Sequence, residues 1–150
     1  MYHAGMLVLA SHSPRRREIL AAAGIEFVTR PVTVDETPLE GEDAREHVLR
    51  LARTKALAAP AGAGEIVLGA DTVVVVDGAI FGKPASVEQA AWMLRRLAGR
   101  EHEVVTGVCL RAGERVAAEA ECTRVRFVAL SEDEIASYAA SGEPMDKAGA

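Results

Sequence analysis

The sequence predicts a single α/β domain built on a mixed, twisted β-sheet flanked by helices. Three observations predict it. Short apolar runs alternate with helical stretches through most of the chain. The stretch EVVTGVCLRAGERVAAEAECTRVRFVAL has the alternation of a long β-hairpin. The chain also has 150 residues, 49% of them hydrophobic, which is enough for one substantial core. Strand–helix units beside an antiparallel hairpin imply a mixed sheet.

The elements follow in order. MLVLA (6–10) is a short apolar run that fits a buried strand. Ser13 is a good N-cap and Pro14 suits the first helical position. The helix they start stops at Gly24, a natural C′ residue. IEFVTR (25–30) alternates as a second strand, which Pro31 ends. VTVDETPLEGED is a polar loop. The spacing of Ala44, Val48, Leu51 and Ala52 then predicts a helix over roughly 42–58. PAGAG (60–64) is a linker, and EIVLGADTVVVVDG reads as strand, interruption, strand, ending in an Asp77-Gly78 turn. Ser86 and Gln89 form a capping box for a helix closed by Gly99. The hairpin turns about Ala112-Gly113, and Ser131 with Glu134 caps a last helix that stops at Gly142. MYHAG is read only as a short start. Met6, Trp92 and Met93 are packing candidates, and Thr123, Val125 and Phe127 alternate as one strand face.

Composition narrows the function classes. The net charge of −5 argues against a general nucleic-acid-binding surface but leaves room for a local basic pocket. No apolar run approaches bilayer length, and the N-terminus has no signal-peptide pattern. Cys109 and Cys122 lie in strand-like sequence without CxxC or His-rich spacing, so they are expected to be reduced thiols of a cytoplasmic protein. His3, His12, His47 and His102 have no zinc-ligand spacing, and His102 is expected to shape the start of a strand.

The chemistry begins at LASHSPRRREIL. Arg15, Arg16 and Arg17 fall in the first turn of the predicted helix, where the macrodipole disfavours cations. A strand, a polar loop and a helix N-terminus make an anion site, and arginines there grip a polyphosphate bidentately once it is bound. Ser11 and Ser13 add hydroxyls. Solvated arginines on an exposed helix start are the bland alternative. The segment lacks GxxxxGK[ST] and is no P-loop. Asp71, in GADTVV, directly follows an apolar run, where a carboxylate is costly unless solvated, paired or metal-bound. Lys55 borders the apolar stripe of its helix, so it either snorkels outward or points into a cleft. The Asp35-Glu36 pair in a polar loop, Lys83 in FGKP and the charged GEPMDKAGA segment are weak signals taken singly.

Taken together, these stretches resemble the Maf family of nucleoside triphosphate pyrophosphatases, once described as septum formation inhibitors. The resemblance runs from Leu7 to the last residue. It rests on LASHSPRR, Asp35-Glu36, Lys55 in ARTKA, GADTVV, GKP, REHEVVTGV and GEPMDKAGA, all in the family's order. It implies a Maf/inosine triphosphatase-like fold, with an active-site cleft at the strand ends, that hydrolyses a nucleoside triphosphate to a monophosphate and pyrophosphate. Carried over, Asp71 resembles the general base, and Glu36 with Asp71 the carboxylate environment of Mg²⁺ or Mn²⁺. Ser11, Ser13, Arg15, Arg16, Lys55 and Lys83 resemble phosphate-binding residues, and Asp146 and Lys147 belong to the same cleft. Several cations and a metal, with no nucleophilic side chain, suit phosphoryl transfer.

The SPRR and ADT forms of the motifs resemble the dTTP/UTP subfamily, with Arg15 and Thr72 as specificity positions. Family members continue beyond KAGA, so the resemblance leads us to expect a chain lacking the family's C-terminal segment. It also leads us to expect a homodimer, with no nucleic-acid polymer and no membrane as partner. The rival from another class is a non-catalytic nucleotide-binding regulator of septum formation, which gains nothing from an acid beside its phosphate site. A second rival, an inosine triphosphate pyrophosphatase, is opposed by SHSPRR.

Overall fold

β1 (Leu7–Leu9) is the apolar centre of MLVLA, and it pairs in parallel with strands on both sides. These ladders come from a computed structural model that describes residues 5–150; His3 and most of MYHAG lie outside the described residues. The elements that follow are α1 (Pro14–Ala22), β2 (Phe27–Thr29), α2 (Ala44–Ala58), β3 (Ile66–Val76), β4 (Ala79–Phe81), α3 (Val87–Leu97), β5 (Glu101–Ala112), β6 (Arg115–Arg126) and α4 (Glu132–Ala140), then a 3₁₀ turn at Glu143–Asp146. The strand order is β2-β1-β3-β5-β6, with β4 paired antiparallel to β3. Parallel and antiparallel ladders together make the sheet mixed, as expected.

The chain divides into two compact units. One holds the described residues up to Asp71 together with Thr106–Ala120, and the other holds Thr72–Val105 with Glu121–Ala150. In the first, β2 and β3 flank β1, with Leu7 opposite Phe27 on one side and Ile66 on the other. Its core contains Val8, Ala10, Ala52, Ala56, Ala59, Val67 and Cys109. α2 is capped by a reciprocal box in which the Asp43 carboxylate accepts from the Glu46 N–H while Glu46 accepts from the Asp43 N–H. One face of α2 is buried along His47, Val48, Leu51, Ala52, Lys55 and Ala56. Two glycines let that face come close to the strands. A Cβ on Gly69 would collide with the Ala52 carbonyl oxygen and lie 2.6 Å from the Ala56 nitrogen, and one on Gly107 would lie 2.5 Å from the Val48 oxygen.

In the second unit α3 buries Ala90, Met93, Leu94 and Leu97, an amphipathic stripe with helical spacing. Met93 and Leu97 join Val74, Val76 and Phe81 in the core. Asp77 and Gly78 both take positive φ, forming the expected turn, and the Arg100 guanidinium holds the Asp77 carboxylate at 2.5 and 2.8 Å. His102 is buried edge-on against Phe127, and burial pushes its imidazole below the usual histidine range. Gly149 donates its N–H to the Gly82 carbonyl at 2.9 Å, while a Cβ there would lie 2.7 Å from Val74 Cγ2.

Several expectations are corrected. GADTVV does not interrupt its strand: β3 runs unbroken from Ile66 to Val76, because Gly69 and Ala70 add no bulk and the Asp71 charge finds a partner. The Ser86–Gln89 box is half formed. Ser86 accepts from the Gln89 N–H, but the Gln89 side chain turns to the Ala85 N–H. The hairpin turns one residue later than expected, at Gly113-Glu114, with Gly113 at φ +61°. Trp92 is half-exposed, one position off the α3 stripe, and packs its ring on Phe81 with the Arg96 guanidinium above it. Met6 is half-exposed too, just ahead of the β1 ladder. Within GEPMDKAGA, EPMD forms the 3₁₀ turn with Pro144 buried. Both cysteines are free thiols on strands, Cys109 buried and Cys122 exposed.

Candidate active site

Asp71 sits on β3, at the end of its run through the first unit. Gly69 and Ala70 precede it, and it is 6% exposed. A carboxylate so placed needs compensation, which α2 supplies. The Lys55 ammonium lies 3.0 Å from Asp71 Oδ1 and 2.7 Å from Glu36 Oε1, and donates weakly to the Ala70 carbonyl at 3.4 Å. Of the two orientations the sequence left open for Lys55, the inward one is realised. Close packing of α2 over Gly69 makes it so, since Lys55 lies one turn beyond Ala52 and Leu51 on the buried face.

The arginine triplet has a clear division of labour. Ser13 Oγ caps α1 by accepting from the Arg16 N–H at 3.3 Å, so this hydroxyl serves the helix as the N-cap reading expects. Arg16 turns back under the helix start, its Nη1 donating at 3.0 Å both to Ser11 Oγ and to the Ala70 carbonyl. Burial lowers the Arg16 pKa, and the charges of Asp71 and Glu36 oppose that loss. Arg15 and Arg17 are exposed. A cation at a helix N-terminus is thus tolerated because one arginine leaves the turn for a carboxylate-rich site, while two stay in water.

Ser11, Arg16, Glu36, Lys55 and Asp71 are therefore brought together within one unit. Asp35 is exposed and closes an Asx turn on the Thr37 N–H at 2.9 Å, which draws its carboxyl below the usual range. Lys83, Asp146, Lys147 and Thr72 belong to the second unit. There Lys83 is exposed, while Lys147 is half-buried over the Tyr138 ring with its ammonium 3.1 Å from the Glu143 carbonyl.

The sequence reading missed a second group. His47 is 3% exposed on α2, with Nδ1 at 2.8 Å from Glu42 Oε1 and Nε2 at 3.8 Å from Asp71 Oδ2. Arg50 clamps Glu42 from the other side at 2.5 and 2.8 Å, and together they hold the Glu42 carboxyl down at about 2. His47 lacks ligand spacing to any histidine, but it precedes Lys55 by eight residues, two turns of the same face, and that spacing was the available signal.

The profile of the Maf-like protein family matches residues 6–150. The chain belongs to the Maf-like family. Curated members are close: a dTTP/UTP pyrophosphatase of Symbiobacterium thermophilum is 52% identical over 145 residues, 96% of this chain and 75% of that protein. Another dTTP/UTP pyrophosphatase, from Anaeromyxobacter dehalogenans, is 50% identical over the same shares of each chain. Among solved structures, the Staphylococcus aureus Ham1 protein superposes with a TM-score of 0.55 at 15% identity, covering 81% of this chain and 71% of that one. That likeness supports the fold expected from the family resemblance.

The residues present also fit a hard divalent cation. Glu36 and Asp71 converge on a single cationic position, filled here by the Lys55 ammonium. Among the described residues no third acid, histidine or cysteine completes a cage. A two-carboxylate set of this kind suits Mg²⁺, which keeps several waters and draws further ligands from substrate phosphates.

Proposed function

We propose that this chain hydrolyses dTTP and UTP to the nucleoside monophosphate and pyrophosphate, with Asp71 as the base that takes a proton from the attacking water. The observation that carries this reading is the buried Asp71 carboxylate flanked by Lys55 and Arg16, in a chain about half identical to curated dTTP/UTP pyrophosphatases. A simple binder of phosphates is weakened by an acid among its cations. A hydrolase needs one to orient and deprotonate water.

The roles of the remaining residues follow from charge. Arg16 and Lys55 meet the triphosphate, and Ser11 Oγ adds a hydroxyl at the same place. Lys83 and Lys147 are cations of the same function, while Arg15 and Thr72 select the base. Glu36 and Asp71 would hold Mg²⁺ or Mn²⁺, which supplies positive charge against the phosphoryl oxygens as the leaving pyrophosphate departs. No helix among the described residues is long and apolar enough to cross a membrane. We place the enzyme in the cytoplasm, as a homodimer that clears unwanted nucleotides.

The test is pyrophosphate release from dTTP, UTP, CTP, GTP, ITP and 7-methyl-GTP with Mg²⁺ or Mn²⁺, wild type beside Asp71→Asn. Release from dTTP and UTP that disappears in the variant supports the reading. Nucleotide binding without release from any of the six favours the regulator instead.

A further inference from the structure

We propose that Arg50 is a positioning residue for Glu36: its guanidinium ties both ends of the 37–42 segment to α2 and so holds the Glu36 carboxylate where a divalent cation is to be met. The proposal rests on the pyrophosphatase reading above and adds a residue to it.

The loop that carries Glu36 needs such a tie. It belongs to the polar run between β2 and α2, and every residue from Asp35 to Gly41 is exposed, Leu39 included. A segment that buries no side chain has no apolar gain to offset the entropy of ordering it. The Glu36 carboxylate is nevertheless placed, with Oε1 2.7 Å from the Lys55 ammonium although the side chain is half-exposed. Polar contacts have to do the holding.

Arg50 supplies them from α2. Its Nη2 donates to the Thr37 carbonyl at 3.1 Å, one residue after Glu36. The same nitrogen reaches Glu42 Oε1 at 2.8 Å while Nε takes Oε2 at 2.5 Å, a two-pronged grip on the residue just before the Asp43 cap. One rigid fork thus closes the segment at its start and at its end. Within it, the Glu42 N–H donates to the Leu39 carbonyl at 3.1 Å. The Asp35 carboxylate accepts from the Thr37 N–H at 2.9 Å, so the backbone leaving Glu36 is held at both polar groups of Thr37.

The two carboxylates of the site differ in what fixes them. Asp71 is buried on a long strand, whereas Glu36 stands on an exposed loop and is the one free to drift. A ligand arranged beforehand binds an ion more tightly than one that must be ordered on binding, and its outer partners set that arrangement. This gives a purpose to the ionic clamp between Arg50 and Glu42, which the hydrolysis itself does not use.

Hydrogen–deuterium exchange and metal binding by the full chain test it. In the nucleotide-free protein, Arg50→Gln should speed amide exchange over 37–42 while β1 keeps its protection. The dissociation constant for Mn²⁺ bound together with α,β-imido-dTTP, which is not cleaved at that bond, is read from the electron paramagnetic resonance of free Mn²⁺. Loss of an outer partner costs about tenfold in metal affinity, so the constant should rise about tenfold in Arg50→Gln. On a Glu36→Gln background, with no carboxylate left to place, Arg50→Gln should add nothing. Nucleotide binding in EDTA should match wild type. An unchanged Mn²⁺ constant overturns the proposal, as does unaltered exchange over 37–42. So does a further rise on the Glu36→Gln background, or weaker nucleotide binding in EDTA, which would make Arg50 a phosphate contact. Circular dichroism melting checks that each variant folds. If Arg50→Gln does not, Arg50→Gln combined with Glu42→Gln, which strands no charge, takes its place with the same expectations. Wild type that neither takes up Mn²⁺ with nucleotide nor hydrolyses dTTP refutes the pyrophosphatase reading and this proposal with it. Wild type that does both, beside an Arg50→Gln of equal Mn²⁺ affinity, refutes the proposal alone.

Discussion

The Lys55 ammonium lies 3.0 Å from Asp71 Oδ1, both side chains are nearly sealed from solvent, and the same nitrogen reaches Glu36 at 2.7 Å. Cutting this pair leaves Asp71 charged and half-compensated. Lys55→Met should therefore lower unfolding free energy by about 3 kcal/mol, the usual cost of stranding one member of a buried pair. Urea denaturation reads the loss. Turnover of dTTP should vanish as well, whereas loss of activity at unchanged stability would mean that Lys55 serves substrate alone.

Arg15 and Arg16 are neighbours with different surroundings, and their alanine variants should differ. Arg15 is exposed, so Arg15→Ala should raise KM and blur the choice of base without moving the melting temperature. Arg16 is tied to Ser11 and the Ala70 carbonyl, so Arg16→Ala should both raise KM and lower the melting temperature. Kinetics with thermal melts on the two variants separates them.

Gly69→Ala should be among the most damaging small substitutions. The new methyl meets the backbone of α2 at Ala52 and Ala56, neither of which has a flexible end to give way. Overpacking of this kind costs about 1–3 kcal/mol. A denaturation midpoint equal to wild type would show that α2 can back away from β3 freely.

Acid should weaken the fold in a defined window. Arg50 holds the Glu42 carboxyl, and Arg30 the Glu65 carboxyl, down from 4.5 to about 2. Because the folded values are depressed, their stabilisation is fully present above about 4.5 and fades as pH falls toward about 2. Melting temperature measured from pH 6 to pH 2 should drop across that interval, and Glu65→Gln should drop less steeply than wild type.

Chelation should silence the proposed hydrolysis. EDTA treatment is expected to stop pyrophosphate release, and added Mg²⁺ or Mn²⁺ to restore it. Turnover that survives exhaustive chelation would remove the metal from the mechanism and leave Glu36 as a partner of the site's cations.

Much of this was legible in the chain because local rules acted without opposition. Ser13, Pro14 and Gly24 mark α1, and Ser131 with Glu134 caps α4 just as their spacing implies. GADTVV misled for a tertiary reason. A buried charge looks like a break in a strand until its partner, sixteen residues earlier on α2, is known. The inward turn of Lys55 depends on how closely the helix meets Gly69, a property of two elements at once. His47 stayed hidden because ligand spacing between histidines was the wrong test for a residue whose partners are Glu42 and Asp71.

The shared lysine has one more consequence. With no nucleotide, Lys55 and Arg16 are already engaged by the protein's own carboxylates and carbonyl, so an incoming phosphate must win them away. When it does, on the proposed mechanism, Asp71 loses its restraint on Oδ1 at the moment a water must be deprotonated. Substrate thereby releases the safety catch on its own hydrolysis, and an idle enzyme keeps its base locked.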